Sequence, residues 1–226
     1  MLIRKSQQSE IMDDFSIADE RIDIALKEIK TINKFLGGNS TSKSGLLQLI
    51  GKIEYSGVLK ILDIGAGGSD NISVNKEVLK NVQVTCLDIN KRSCFYIKNN
   101  NLGDIVICGN ALNLPFKESS FDIVHASLFL HHFGDEDILY ILKSCLYISK
   151  YGIIINDLQR SVFAFVGIKL LTLLFSQSKM VRNDAPLSVR RGFLKNELFK
   201  ILSEIKPASF LIKSRWAFRW LLVIKK

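Results

Sequence analysis

The chain has 226 residues, of which 47% are hydrophobic and 23% charged, and its formal net charge is +9. This balance is typical of a globular domain and excludes a disordered or fibrous protein. The length suits one α/β domain. The basic residues are scattered rather than clustered, so a nucleic-acid partner is not favoured.

The cysteines and the N-terminal residues indicate a cytoplasmic protein. None of the four cysteines forms a C-x-x-C pair, and no histidine stands at zinc spacing from them. Neither a disulfide framework nor a metal site is therefore predicted. Residues 6–10 are polar where a secretory signal would need an apolar segment. The most apolar window, residues 162–175, is too short to span a bilayer.

The first 50 residues show helical periodicity. Apolar residues recur every three or four positions through residues 10–36, with charged residues between them. We expect residues 37–40, Gly-Gly-Asn-Ser, to end this helix and residues 46–50 to begin a short second one. Together, residues 1–50 are predicted to form a helical cap that folds over the opening of a ligand site.

Residues 51–160 alternate short apolar runs with helical patterns. The predicted strands are residues 58–64, 82–88, 105–108, 121–126 and 153–156, and the predicted helices are residues 73–80, 91–99 and 135–149. This alternation predicts an α/β fold, a doubly wound and mostly parallel sheet with helices on both faces.

The remaining residues differ in pattern from this core. The predicted elements are an apolar helix or helix pair at 161–178, a polar link at 186–193, a helix at 195–205, and two strands at 209–213 and 218–224. The two strands predict a C-terminal antiparallel hairpin. We interpret residues 1–226 as one domain, in which a helical insertion at 161–193 and a terminal part at 194–226 follow the core.

The strongest motif is the turn D-I-G-A-G-G-S-D at residues 63–70, directly after the first strand. Glycine allows positive φ and a close approach of backbone to ligand. A dinucleotide fingerprint would need glycine at position 70, which is Asp. That carboxylate would repel a pyrophosphate but would suit a ligand with sulfonium and ammonium groups. The turn therefore favours S-adenosylmethionine over a nicotinamide cofactor.

Candidate ligand contacts also follow the next strands. Asp88 could accept hydrogen bonds from two ribose hydroxyls, or it could cap the following helix. Ile89 could pack on an adenine face, and Asn110 could pair with the adenine amino edge. The alternative for Asn110 is an ordinary strand-to-helix turn. The fourth strand ends where ligands bind in sheets of this kind.

The four motifs I-L-D-I-G-A-G-G, C-L-D-I-N, G-N-A-L-N-L-P-F and F-D-I-V-H-A-S-L-F-L-H-H-F span residues 58–133. Their order resembles that of class I S-adenosylmethionine-dependent methyltransferases, and most closely the type 11 small-molecule group. The resemblance implies S-adenosylmethionine as cofactor. The cofactor-binding residues that it implies are Asp63, Gly65, Ala66, Gly67, Asp88, Ile89, Asn110, Ala111 and Ser127. The chain departs from the family pattern at Ser69, usually Gly, and at Asn110, usually Asp.

The three histidines are His125, His131 and His132, on or just past the fourth strand. Methyl transfer to a hydroxyl often uses a general base, and histidine titrates near neutral pH. We predict His131 as this base, ahead of His132, while His125 is expected to pack in the sheet. The alternative is that the His pair only caps or packs.

The predicted acceptor is a small apolar or phenolic molecule. Residues 161–178, with Leu170 and Leu174, are predicted to wall its pocket; they could instead belong to the core or rest weakly on a membrane surface. Arg182, Arg190 and Arg191 form either a substrate-facing loop or a solvated connector. The predicted reaction is O-methylation of a phenol, quinol or polyketide-like hydroxyl in secondary metabolism. C-methylation, an RNA or protein methyltransferase, and a non-catalytic binding module are the alternatives.

Overall fold

The computed structural model describes residues 4–51, 57–73, 79 and 81–226. The strands are β1 (Leu59–Ile64), β2 (Val82–Asp88), β3 (Ile105–Cys108), β4 (Phe121–Ser127), β5 (Ser149–Leu158), β6 (Ser209–Arg215) and β7 (Arg219–Lys225). They form one sheet in the order β3-β2-β1-β4-β5-β7-β6.

Strand directions confirm the predicted fold class. The pairs β1–β2, β1–β4, β2–β3 and β4–β5 are parallel, while β7 runs antiparallel to both β5 and β6. The C-terminal hairpin is thus added to the edge of a parallel sheet. The chain reverses its winding between β1 and β4, and ligands bind beyond the carboxyl ends of the strands at such a switch point.

Helices cover both faces of the sheet. They are α1 (Glu20–Phe35), α2 (Gly38–Ile50), α3 (Asp70–Ser73), α4 (Lys91–Asn99), α5 (Asp135–Ile148), α6 (Val162–Phe175), α7 (Lys179–Arg191) and α8 (Lys195–Ile205), with short 3-10 helices at Ile11–Asp13 and Leu130–His132. Helices α5 and α8 pack on one face, and α2 and α4 pack on the other. Helix α1 contacts α4 and α7 in a third apolar cluster that lies over the strand ends.

The N-terminal helices begin at other residues than the sequence predicts. Helix α1 starts at Glu20 rather than near residue 10, because the Asp19 carboxylate caps it by accepting a hydrogen bond from Arg21 N, 3.0 Å away. Gly37, with φ of +74°, is the one residue of the predicted terminator that breaks the helix. Gly38 already belongs to α2, so the second helix is longer than expected.

The prediction of a polar link at residues 186–193 is wrong, because most of these residues belong to helix α7. Pro186 lies inside this helix and lacks the N–H that would bond four residues back. The helix forms nonetheless, since Val181, Leu187 and Val189 are buried on its inner side. Packing outweighs the local preference of proline here. Of the helix predicted at 73–80, residues 74–78 and 80 lie outside the described residues.

Helix α6 presents an apolar face to solvent. Leu170 is 54% exposed and Leu174 71% exposed, together with Phe163, Leu173 and Phe175. Neither Leu170 nor Leu174 is among the described residues of α6 that line the large cavity at the strand ends, so the prediction that they wall the acceptor pocket is wrong. Within the described ranges, no helix combines the length and apolar character needed to cross a membrane.

Candidate functional site

A cavity of about 600 Å³ lies beyond the carboxyl ends of β1, β2 and β4. Its strand side consists of the loops that follow these strands and β3. Its helix side consists of α1, α6 and α7 together with Glu10, His131 and His132. The predicted cofactor-binding residues and the predicted base all line this cavity: Asp63, Gly65, Ala66, Gly67, Asp88, Ile89, Asn110, Ala111, Ser127 and His131.

The turn after β1 depends on glycine. Gly65 and Gly67 have φ of +59° and +51°, a conformation that L side chains rarely adopt. A Cβ atom on Gly65 would lie 1.9 Å from the Phe129 ring. Ser69, which stands where the family usually has glycine, also has positive φ and donates a hydrogen bond to Asp63 Oδ2, 2.8 Å away.

A buried chain of polar side chains holds Asp63. His125 Nδ1 lies 2.7 Å from Asp63 Oδ1, and its Nε2 lies 2.9 Å from Ser42 Oγ. Asn156 Nδ2 donates to Ser42 Oγ and its Oδ1 accepts from Arg219 Nη1. His125 therefore does more than pack in the sheet, because it fixes the carboxylate that begins the turn.

Asp88 joins the loops after β1 and β2. Its Oδ2 accepts a hydrogen bond from Gly67 N and its Oδ1 one from Asn90 N, both at 2.8 Å. Burial raises the pKa of this carboxyl. Each carboxylate oxygen keeps a further lone pair, so a second pair of donors, such as two adjacent hydroxyls, can also be bound. Ile89, 39% exposed, lies next to it at the cavity.

Asn110 and Ser127 complete the strand side. Asn110 Oδ1 accepts from Leu112 N, 2.9 Å away, which fixes the amide so that its NH₂ group is the free end. The amide oxygen of Asn110, which the sequence predicts to accept a hydrogen bond from adenine, therefore already accepts one within the turn. Ser127 Oγ accepts from Asn71 Nδ2 at 2.7 Å, and Ala111 is buried.

His131 lies between two carboxylates. Its Nδ1 is 2.6 Å from Asp157 Oδ1, and its Nε2 is 3.5 Å from Glu10 Oε1. Burial by itself would lower the pKa of His131, but Asp157 and Glu10 outweigh it and raise this pKa to about 9. The ring is therefore an imidazolium at neutral pH, and it would have to lose a proton before it could act as a base.

The comparisons with known proteins agree with this geometry. Residues 62–154 match the family described as "Methyltransferase domain". This part of the chain is a methyltransferase domain. The predicted class, a class I S-adenosylmethionine-dependent methyltransferase, is thereby confirmed. No curated protein matches the chain significantly.

Solved structures share the fold of this methyltransferase over most of its length. The plantazolicin methyltransferase BpumL, in complex with SAH, is 15% identical, covers 96% of this chain and 99% of its own, and has a TM-score of 0.65. Magnesium protoporphyrin IX methyltransferase from Synechocystis, with bound SAM, is 14% identical over 84% of this chain and 79% of its own, with a TM-score of 0.54.

The residues of the methyltransferase site fit S-adenosylmethionine. The positive φ of Gly65 and Gly67 forms a tight turn at the cavity, and Asp88 can bind a ribose diol. Asp70, 5% exposed, also lines the cavity. Burial raises the pKa of Asp70 to about 7, with Asp63 adding to the shift and Lys30, 3.7 Å away, opposing it. A cationic ligand would stabilise its ionised form.

Sequence reasoning missed the residues that bring the N-terminal segment to the His pair. Asp184 accepts hydrogen bonds from Ile11 N at 2.8 Å and Met12 N at 3.0 Å. Arg191 bonds Asp13 Oδ2 at 2.7 Å and the backbone oxygen of His131 at 3.2 Å. The sequence carries one signal for these contacts, the acidic residues Glu10, Asp13 and Asp14 close together near the start of the chain.

The arginines of the predicted basic loop have structural partners. Arg191 is buried in the contacts described above, and Arg182 Nε donates to Ser176 O at 2.9 Å. The described residues that line the cavity include neither of these, nor Arg190. The structure therefore gives no support to an anion-binding loop at these positions.

Proposed function

We propose that this methyltransferase O-methylates a small, rather apolar acceptor such as a phenol, a quinol or a polyketide-like hydroxyl. The observation that carries the proposal is that most of the lining side chains from α1, α6 and α7 are apolar, whereas Glu10, His131 and His132 form a polar cluster beside them. Small-molecule sites typically combine apolar walls with a few polar groups that orient the ligand.

The apolar wall comes from three helices. Its side chains are Leu26, Ile29 and Ile32 of α1, Phe163, Ile168 and Leu171 of α6, and Val181 and Val189 of α7. Such a wall binds an aromatic or aliphatic molecule by removing apolar surface from water, worth roughly 25 cal/mol per Å². Among the described residues that line the cavity there is no lysine, and the guanidinium of Arg219 is bonded to Leu36 O, Asn33 and Asn156, so phosphates of a nucleic acid are not favoured. Methyltransferases named for plantazolicin and magnesium protoporphyrin IX share the fold, which supports a small-molecule acceptor.

The strand side is assigned to the cofactor in this proposal. S-adenosylmethionine supplies a methyl group on a positively charged sulfur. Asp88 binds the ribose, Ile89, Asn110 and Ala111 face the adenine, and Ser127 lies near the methionine end. Asp63, Gly65, Ala66 and Gly67 shape the turn that receives it. These residues orient the cofactor for an in-line displacement.

The transfer step joins the two sides. S-adenosylmethionine, held by the strand side, would supply the methyl carbon and leave as S-adenosylhomocysteine, and the acceptor oxygen would give its proton to deprotonated His131 as it takes the methyl group. We assign His131 as the catalytic residue that contacts the acceptor oxygen through Nε2, because Nδ1 is already bonded to Asp157. Glu10 and His132 lie beside it.

The exposed face of α6 supports a weak membrane-surface contact as part of this proposal. Phe163 both lines the cavity and is 79% exposed, so the apolar outer face is continuous with the cavity wall. A lipophilic acceptor could pass along this face into the site. Flotation with lipid vesicles, compared between wild type and the double variant Leu173→Ser, Phe175→Ser, measures the contact.

The test is methylation of a panel of phenols, quinols and hydroxylated polyketide-like compounds. We expect S-adenosylhomocysteine to form together with a methyl ether, identified by mass spectrometry and NMR. His131→Asn should lower turnover by roughly 100-fold or more, while Glu118→Gln, an exposed control, should not. A carbon-methylated product would establish C-methylation instead. Binding of the cofactor without any turnover across the panel would favour a binding module.

A further inference from the structure

Two buried polar atoms on the helix side point at each other across a gap. Glu10 Oε1 and His131 Nε2 are 3.5 Å apart, and their residues are 6% and 1% exposed. Within the described part of the chain, neither atom makes a hydrogen bond. The protonated ring forms a long ion pair with Glu10, whereas a neutral ring leaves both atoms unsatisfied, at a cost of about 1–3 kcal/mol each. A ligand between them would remove that penalty.

A third residue, His132, converges on the same place. One ligand atom from each of Glu10, His131 and His132 lies within 4.8 Å of the other two. All three residues line the cavity. The rings of His131 and His132 are stacked at a tilt, with centroids 4.3 Å apart, so the pair offers its nitrogens side by side.

Both imidazole rings have a carboxylate on Nδ1. Asp157 Oδ1 lies 2.6 Å from His131 Nδ1, and Asp13 Oδ1 lies 2.6 Å from His132 Nδ1. A carboxylate that accepts a hydrogen bond from Nδ1 fixes the direction of the ring, and a metal ion that binds at Nε2 displaces the proton from that nitrogen. Histidines that bind metal ions almost always have such a partner.

We propose that Glu10, His131 and His132 bind one divalent first-row transition metal ion, with an open coordination position toward the cavity. The donor set, two imidazoles and one carboxylate, suits zinc, iron, cobalt or manganese better than magnesium. Bonds of about 2.0–2.2 Å place ligand atoms roughly 3–4 Å apart. Glu10 and His131 already meet this spacing, and small side-chain rotations bring in His132.

The charge of the surroundings also fits a cation. Glu10, Asp13 and Asp157 each face one of the two rings, and Arg191 is the cation bonded to this group through Asp13. The carboxylates outnumber the guanidinium, so the cluster is net negative when the imidazoles are neutral. A divalent ion would balance this charge.

The role of the ion rests on the proposed function. An acceptor oxygen would occupy the open position, and the ion would lower the pKa of its hydroxyl. The proton would leave to solvent water, and the oxygen would attack the methyl carbon as the carbon–sulfur bond breaks. His131 would then contact the acceptor through the ion. An acceptor with two neighbouring oxygens would bind best, since it can fill two positions.

The test uses the full chain without an affinity tag, after dialysis against EDTA. Calorimetric titration with ZnCl₂ should show one ion per chain, and titration with MgCl₂ should show none. CoCl₂ should give visible absorption bands of a cobalt–imidazole site. Glu10→Gln and His132→Asn should each weaken zinc binding by about tenfold or more. Glu118→Gln, which changes an exposed carboxylate, should bind zinc as wild type does.

Melting temperature and S-adenosylhomocysteine affinity, measured on each variant, show that it is folded. The proposal is overturned if folded wild type binds neither zinc nor cobalt, or if Glu10→Gln and His132→Asn both bind them unchanged. Methyl transfer that persists in EDTA, with no metal bound, would overturn the proposed metal site. It would leave the proposed O-methyltransferase activity unaffected. Metal binding without transfer to any acceptor would support the site and count against the proposed function.

Discussion

The two sides of the cavity are built in different ways. The strand side comes from four loops between Asp63 and Ser127, each directly after a strand of the same sheet. The helix side draws on Glu10, His131 and helices α1, α6 and α7, which are far apart in the chain. The comparison teaches that sheet geometry places the cofactor residues, whereas tertiary contacts place the residues around the acceptor.

The largest effect should come from a charge in the apolar wall. Leu171→Asp places a carboxylate among apolar side chains, so we expect turnover to fall by roughly 100-fold or more, since such burial costs several kcal/mol. S-adenosylhomocysteine affinity should stay normal. Leu170→Asp is the matched control, because Leu170 is on the exposed face of the same helix. Equal losses in both variants would contradict the assignment of the wall.

Removal of the Asp88 carboxylate on the strand side should weaken binding of the cofactor and leave the acceptor side of the cavity unchanged. Asp88→Ala should raise the Kd of S-adenosylhomocysteine about 10–100-fold, the loss expected for charged hydrogen bonds. Asp104→Ala is the control, since Asp104 also bonds a backbone N–H, that of Val84, but does not line the cavity. Calorimetry measures both variants. An unchanged Kd in a folded Asp88→Ala protein would remove the basis for the cofactor site.

The pH dependence of cofactor affinity should test the role of Asp70 on the strand side of the cavity. The pKa of Asp70 is raised to about 7, so its carboxyl is charged above that pH and neutral below it. Affinity for the positively charged S-adenosylmethionine should therefore fall by up to about tenfold between pH 8 and pH 6. S-adenosylhomocysteine, which lacks the sulfonium, should change less. Asp70→Asn should show a flat profile, and a profile equal to that of wild type would exclude Asp70 as the cause.

The smallest effect concerns the adenine end. In Asn110→Asp, Leu112 N–H can still bond one oxygen, and the NH₂ group becomes a second acceptor oxygen. We expect cofactor binding to tighten about two- to fivefold, from one better hydrogen bond to an adenine amino group. Asn113→Asp adds the same charge nearby without lining the cavity. Weaker binding in Asn110→Asp alone would show that the amide NH₂ group is the part that binds.

The strands and the strand side of the site were predictable because their signals are local. Apolar runs between glycine-rich turns define β1 to β5, and parallel pairing then brings Asp63, Asp88 and Ser127 to one edge of the sheet. The helix containing Pro186 was not predictable, since burial of its inner side decides against the local preference. The cluster of Glu10 with His131 joins residues that no local pattern connects, so a search for metal ligands at cysteine and histidine spacing did not find it.

The attachment of the N-terminal segment by Asp184 and Arg191 sets an order of assembly. During synthesis, the parallel strands that carry the loops of the strand side are complete once residue 158 has been made. Glu10 is held beside the histidines only after α7 has been made, because Asp184 and Arg191 of this helix bond the N-terminal segment. A chain that stops between residue 158 and α7 would contain the residues of the cofactor side. It would lack the contacts that complete the acceptor side of the cavity.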